Sequence, residues 1–370
     1  MDIKEFLKRN WIRLTVVFTL IIVIFIAMIL IFGSKVSVKK NDSYEIIESK
    51  MVRAAEKYAN KNKSILPEMN KSKKIKLSTL KENKYINEIK RKNSSDSCDG
   101  YITISKINAD DYTYEPYLDC GKEYHTTYLA DRLINKGLVS DGDGLYQMDN
   151  KFVYKGDEPA NYLTIDSRTY RILSINEDKE IRVLDIEQTE LFTSWDNRYN
   201  TEAKSNFGIN DFNKSRLKSF LETEYTKKAY SNTLKSLIEP KELCIGKRNS
   251  ANNGDLTGEV ECSEKTTEKY PLGIMQVNEY FNASLDPNCK TIDSKSCINY
   301  NYLADISQEY ETLTTAKDNT FEVYSIYYGR AVIDHASKVF RPNVLFYLKN
   351  KVIYAGGKGT QENPYKVRIN

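Results

Sequence analysis

Histidine is nearly absent from this chain: His125 and His335 are the only two among 370 residues. Neither stands in a His-x-x-x-His or His-x-x-Glu-His arrangement, which excludes zinc proteases of the usual types. His335 directly follows Asp334, and neighbours on a strand point to opposite faces, so the pair reads as surface and not as a dyad. A Gly-x-Ser-x-Gly elbow, a phosphate-binding Gly-rich Lys-Ser/Thr loop and a dinucleotide fingerprint are also missing, and with them the usual signatures of hydrolases and nucleotide enzymes. Charge of one sign is lacking too. A formal net charge of +4 supplies no global field toward nucleic acid, which is not expected as a partner. The acidic run Asp141-Gly142-Asp143-Gly144 invites calcium, but Leu145 stands where an EF-hand loop needs an oxygen donor and Phe152 where it needs a glutamate. It reads as a turn. No catalytic residue, metal ligand or cofactor is assigned.

What is present begins with a run of twenty uncharged residues, 14–33 (LTVVFTLIIVIFIAMILIFG). As a helix it would span roughly 30 Å, the thickness of a bilayer core. It is longer than a signal-peptide core and lacks a small-residue cleavage motif, so it reads as an uncleaved anchor. Basic residues flank it on both sides (Lys4, Lys8, Arg9 and Arg13; Lys35, Lys39 and Lys40), leaving the positive-inside count nearly silent. Orientation rests on cysteine. All six lie beyond the anchor in three locally spaced pairs, Cys98 with Cys120, Cys244 with Cys262 and Cys289 with Cys297, as suits an oxidising compartment. A cytoplasmic tail (1–13), a transmembrane helix (14–33) and an extracellular remainder follow.

Residues 34–122 read as a small helix-plus-hairpin module. Tyr44, Ile47, Met51, Ala54 or Ala55, and Tyr58 recur at helical spacing, which makes one apolar seam, and Leu66-Pro67 ends the helix. A second short helix is expected from Ser78, with Leu80, Tyr85, Ile86 and Ile89 on its apolar side. The segments 101–107 and 112–118 are aromatic and β-branched, with Asn108-Ala109-Asp110-Asp111 as turn chemistry between them, so a hairpin is expected with Cys98 and Cys120 at its base. Lys71, Lys73, Lys74, Lys76, Lys81, Lys84, Lys90, Arg91 and Lys92 give the module a basic side, either a plain solvated face or a contact for anionic wall polymer or lipid head groups.

After a connector with a helical piece (123–140), residues 141–370 read as a larger mixed α+β domain. Strands are expected at 162–165, 170–175, 181–186, 270–277, 309–315, 321–328, 343–348 and 365–369, with helices around Leu217 to Tyr225, Tyr230 to Ile238 and 278–285. Cys244 and Cys262 flank a loop with Asn252, Asn253, Gly254, Asp255 and Gly258, rich in the groups that recognition loops use. Cys289 and Cys297 bracket a seven-residue loop. Trp195 reads as a core plug or a sugar-stacking platform. Trp195, Asn252, Asn253, Asp255, Tyr310 and Tyr324 are the candidate ligand-binding residues.

The order "AAEKYANKN", "LP", "IKLSTLKENKYI", "CDGYITISK", "YTYEPYLDC" resembles the pilin-like juxtamembrane modules of surface proteins in low-GC Gram-positive bacteria and their cell-wall-less relatives. Residues 1–13 lack the Gly-Phe-Thr-x-x-x-Glu sequence of prepilins, so the resemblance implies layout and not pilus assembly. Over 141–370, "GDGLY", "NYLTIDSRTYRILSI", "YPLGIMQVNEY", "CINYNYL", "RPNVLFYL" and "GGKGTQENPY" resemble an uncharacterised bacterial surface domain. Its late aromatic strand followed by Arg341-Pro342 is similar to the C-type-lectin-like fold shared with formylglycine-generating enzymes, with Tyr310 in place of a tryptophan. The implied role is a non-enzymatic, membrane-anchored surface protein that binds an envelope or host glycan or a neighbouring surface protein. The alternatives are an envelope enzyme and a membrane-bound sensor subunit.

Overall fold

The computed structural model describes residues 35–69, 71–106, 112–187, 192–226, 230–304 and 309–368. The expected anchor and the turn at 108–111 lie outside these residues. Among the described residues no helix is long and apolar enough to cross a membrane. The protein is a β-rich α+β molecule with few helices, divided into two compact units that part between Thr126 and Thr127.

In the first unit the seam of helix Tyr44–Lys61, started by the Ser43 hydroxyl accepting from the Ile46 N–H, buries Ile47, Met51, Ala54, Ala55 and Ala59. It lies over a three-stranded antiparallel sheet of Ser72–Lys76, Asp99–Lys106 and Tyr112–Asp119. Alanines in the seam let the helix come close. Gly100 takes the contact at its tightest: a Cβ there would stand 2.2 Å from the Tyr117 carbonyl oxygen and 3.3 Å from the Met51 methyl. Helix Leu77–Glu82 is shorter than its apolar spacing suggests, because the chain turns at Lys84 (φ 60°), yet Ile86 and Ile89 are still buried beyond it. Cys98 and Cys120 are bonded at the hairpin base, where Asp99 faces Asp119.

The second unit is built on an eight-stranded mixed sheet. Its spine runs Leu345–Leu348, Ile181–Asp185, Arg168–Ile175, Tyr162–Ile165, Tyr365–Arg368 and Ile353–Gly356, with the hairpin Gly144–Met148 and Lys151–Lys155 attached through Arg168–Ile175. A four-stranded sheet (Lys247–Arg248, Tyr310–Ala316, Glu322–Tyr327, Arg330–His335) lies in the same unit. Helix Leu129–Gly137, in the segment read as a connector, sends Leu129, Ala130 and Leu133 into this unit's core. The expected strand at 270–277 is corrected: the strand is Lys265–Tyr270, and the apolar residues after it are buried but make only single bridges, Gly273 to Leu345 and Met275 to Thr312. Pro271 has no N–H to give a ladder, so an apolar run that looks like a strand becomes a buried connection into helix Val277–Asn282.

Candidate ligand pocket

The helix Val277–Asn282 starts with a capping box, in which the Gln276 N–H donates to Glu279 Oε2 (2.7 Å). Arg182, on the central strand Ile181–Asp185, reaches the same carboxylate through Nε (2.9 Å) and donates through Nη2 to the Ile274 carbonyl (3.2 Å). Its guanidinium also lies 4.9 Å from the Tyr347 ring centroid. These residues wall a cavity of about 160 Å³ that also takes Leu173, Ser174, Asn278 and Asn282 and is roofed by Thr257 and Gly258 of the Cys244–Cys262 loop.

The roof is tied to the walls at several points. The Gln276 amide donates to the Cys244 carbonyl (2.6 Å), the Asn282 amide to the Leu256 carbonyl (2.7 Å) and Lys151 to the Thr257 carbonyl (2.9 Å). Asn278 is 5% exposed and lines the cavity, yet its side-chain amide makes no hydrogen bond among the described residues. The amide is open to the cavity, where it can offer a donor and an acceptor to a ligand hydroxyl. Gly258 (φ 91°) makes room for it, since a Cβ there would come 2.6 Å from the Asn278 amide nitrogen.

The residues singled out from sequence are scattered. Trp195 is fully buried, edge-on to Phe212, and donates from Nε1 to the Thr312 carbonyl (3.1 Å), the packing of a core plug. Tyr310 is buried, with its ring 6.1 Å from that of Tyr280. Asp255 is spent inside its own loop, and Asn252 joins that network through its backbone carbonyl. Their carbonyls accept from Arg248, at 2.9 Å for Asp255, while the Asp255 carboxylate takes the Thr257 hydroxyl (2.6 Å) and the Thr257 and Val260 N–H groups. Arg248 is itself buried against Glu261, with Nε to Oε1 at 2.9 Å. Asn253 and Tyr324 meet in an open groove of about 500 Å³ between the two disulfide-closed loops, where the Ile292 N–H donates to the Asn253 carbonyl (2.9 Å). His335 stacks on Phe207 with ring centroids 3.7 Å apart, a surface histidine with a packing role.

Sequence reasoning missed Arg182, Asn278 and Glu279. The Gln276-x-x-Glu279 spacing is a helix-start signature that marks this turn, but nothing in the linear pattern shows that Arg182, almost a hundred residues earlier, closes on it. No protein-family profile, curated protein or solved structure matches this chain.

Proposed function

We propose that this chain is a non-enzymatic surface protein, anchored by residues 14–33 with its bulk outside the cell, whose second unit binds the end of an envelope or host glycan. The observation that carries the reading is the Asn278 amide, without a hydrogen bond among the described residues, in a ring-sized cavity of mixed polar and apolar lining. An engineered cavity of about 150 Å³ in another protein accepts benzene, so about 160 Å³ suits one six-membered sugar ring. Planar amide and guanidinium groups beside the half-buried Tyr347 are the chemistry that hydroxyl-rich rings require, since each hydroxyl both donates and accepts. The three disulfides support an oxidising compartment. A lectin-like organisation of the second unit remains part of this proposal, carried by the late-strand pattern and the tethered loops.

Binding suits the pocket better than hydrolysis. Both Glu279 oxygens are already engaged, one by the Arg182 guanidinium and one by the Gln276 N–H, so the carboxylate serves the helix cap and the cation. The test is a glycan array probed with the full chain in detergent, beside Asn278→Leu and Tyr324→Phe. Losing a buried amide contact should weaken binding roughly 5- to 100-fold, while the groove variant Tyr324→Phe binds as the parent does. Absence of any retained glycan, or equal binding by Asn278→Leu with unchanged near-UV circular dichroism, would overturn the assignment.

A further inference from the structure

The first unit carries a second concavity, wholly its own. A bowl of about 690 Å³ opens between residues 38–40, Ile47 and residues 88–95, and five cations line it: Lys39, Lys40, Lys90, Arg91 and Lys92. Glu88 is the single carboxylate in its lining, and that group accepts from the Ser97 hydroxyl (2.6 Å). Carboxylates behind the wall are already answered. Asp42 is held by Lys50 (2.6 Å) and by the Lys39 N–H (2.7 Å), Asp96 by Arg91 (3.3 Å), and Glu123 by the Lys92 and Asn93 N–H groups and the Tyr44 hydroxyl.

Lys39, Lys40 and Lys90 therefore line one bowl, and their ammonium groups have neither an ion-pair nor a hydrogen-bond partner among the described residues. The Arg91 Nε beside them is buried and also without a hydrogen-bond partner. Like charges held together around a concavity repel one another and gain most from a polyvalent anion. Asn93, Ser94 and Ser95 on one rim supply neutral polar groups, and Val38 and Ile47 give the lining an apolar side.

We propose that this bowl binds a phosphate-bearing polyol: phosphate oxygens on Lys39, Lys40, Lys90 and Arg91, and the polyol on the Asn93–Ser95 rim. Such a group comes either from an anionic phospholipid headgroup or from a free or polymer-borne glycerol phosphate. Position in the chain favours the headgroup, a point that rests on the anchor reading. Lys39 follows Gly33, the end of the apolar run, by six residues, a stretch that spans at most about 20 Å.

The experiment uses the full chain in two arms, with glycerol phosphate titrated calorimetrically in neutral detergent, and with nanodiscs of phosphatidylcholine alone or mixed with phosphatidylglycerol, scored for bound lipid by native mass spectrometry. The triple variant Lys39→Gln/Lys40→Gln/Lys90→Gln is compared with Lys63→Gln/Lys81→Gln/Lys84→Gln, which removes the same charge outside the bowl. The bowl variant is expected to lose roughly tenfold or more in affinity, and the control about twofold or less. Phosphatidylglycerol retained with glycerol phosphate ignored identifies the headgroup as the source, and glycerol phosphate bound in detergent identifies the soluble form. Binding in neither arm, or equal loss in both triple variants, overturns the site. Because glycan retention is read in the other unit, failure here and failure of the glycan reading are told apart.

Discussion

Replacing Glu311 by glutamine should change how the stability of the second unit depends on pH. Glu311 lies on the strand Tyr310–Ala316, 5% exposed, and burial pushes its carboxyl from 4.5 up to about 8; Lys338 opposes this, and Asp334 adds to it. The Ser325 hydroxyl lies 3.2 Å from Glu311 and 2.9 Å from Asp334, and Asp334 is paired with Lys338 at 2.7 Å. One hydroxyl carries one proton. If Ser325 gives it to Asp334, the nearer carboxyl and the one paired with Lys338, then Glu311 completes the chain only as the protonated donor, which is the form its burial favours. Below 4.5 the folded and unfolded chains both hold this proton, and stability is full. As pH rises the unfolded chain releases it first, so stability falls by up to about 1.4 kcal/mol per pH unit and levels off above about 8. Between pH 5 and 7 the loss approaches about 2.5 kcal/mol, roughly 5–10 °C in Tm for a unit of this size. Glutamine keeps the shape and the donor without the titration. Thermal melts across this range, followed by near-UV circular dichroism, should show Glu311→Gln gaining on the parent as pH rises. Parallel curves would refute the buried, protonated carboxyl.

Two further perturbations follow from buried chemistry. Arg248→Met leaves Glu261 buried without its cation and should cost about 3–5 kcal/mol, whereas Arg248→Met/Glu261→Leu should recover much of that loss; urea titration decides, and a double variant as weak as the single would sink the account. Removing the Cys98–Cys120 bond as a serine pair opens a 22-residue separation and should cost about 3 kcal/mol, read as earlier melting of the first unit while the second melts unchanged.

Legibility in the sequence followed the range of the interaction. The helix seam of Ile47, Met51 and Ala55 and the strands around 162–165 and 181–186 could be read because a buried face imposes a short period. Local disulfides were legible for the same reason, since a cysteine beside each end of a hairpin or loop has one nearby partner. Strands with mixed or charged composition were not. Lys265–Tyr270 and Ser72–Lys76 are mostly exposed and lysine-rich, held by ladder bonds to Lys241–Cys244 and Asp99–Lys106, and backbone pairing leaves no mark in side-chain pattern.

The loop between Cys244 and Cys262 shows why the site was harder to read than the fold. Its Asn and Asp side chains suggest recognition, because exposed polar groups on tethered loops bind ligands, but the buried Arg248 needs many acceptors and takes backbone carbonyls of this loop. The Arg248 N–H donors draw in Glu261 and the carbonyls of Asn252 and Asp255, so one carboxylate and two backbone carbonyls are spent on holding the loop itself. Once it is held, Gly258 is fixed over Asn278. The loop therefore sets the position of Gly258, and the Asn278 amide beside it keeps no hydrogen bond among the described residues. A polar residue's chemistry can be read from sequence, but whether that chemistry is already used depends on contacts that only the folded chain brings together.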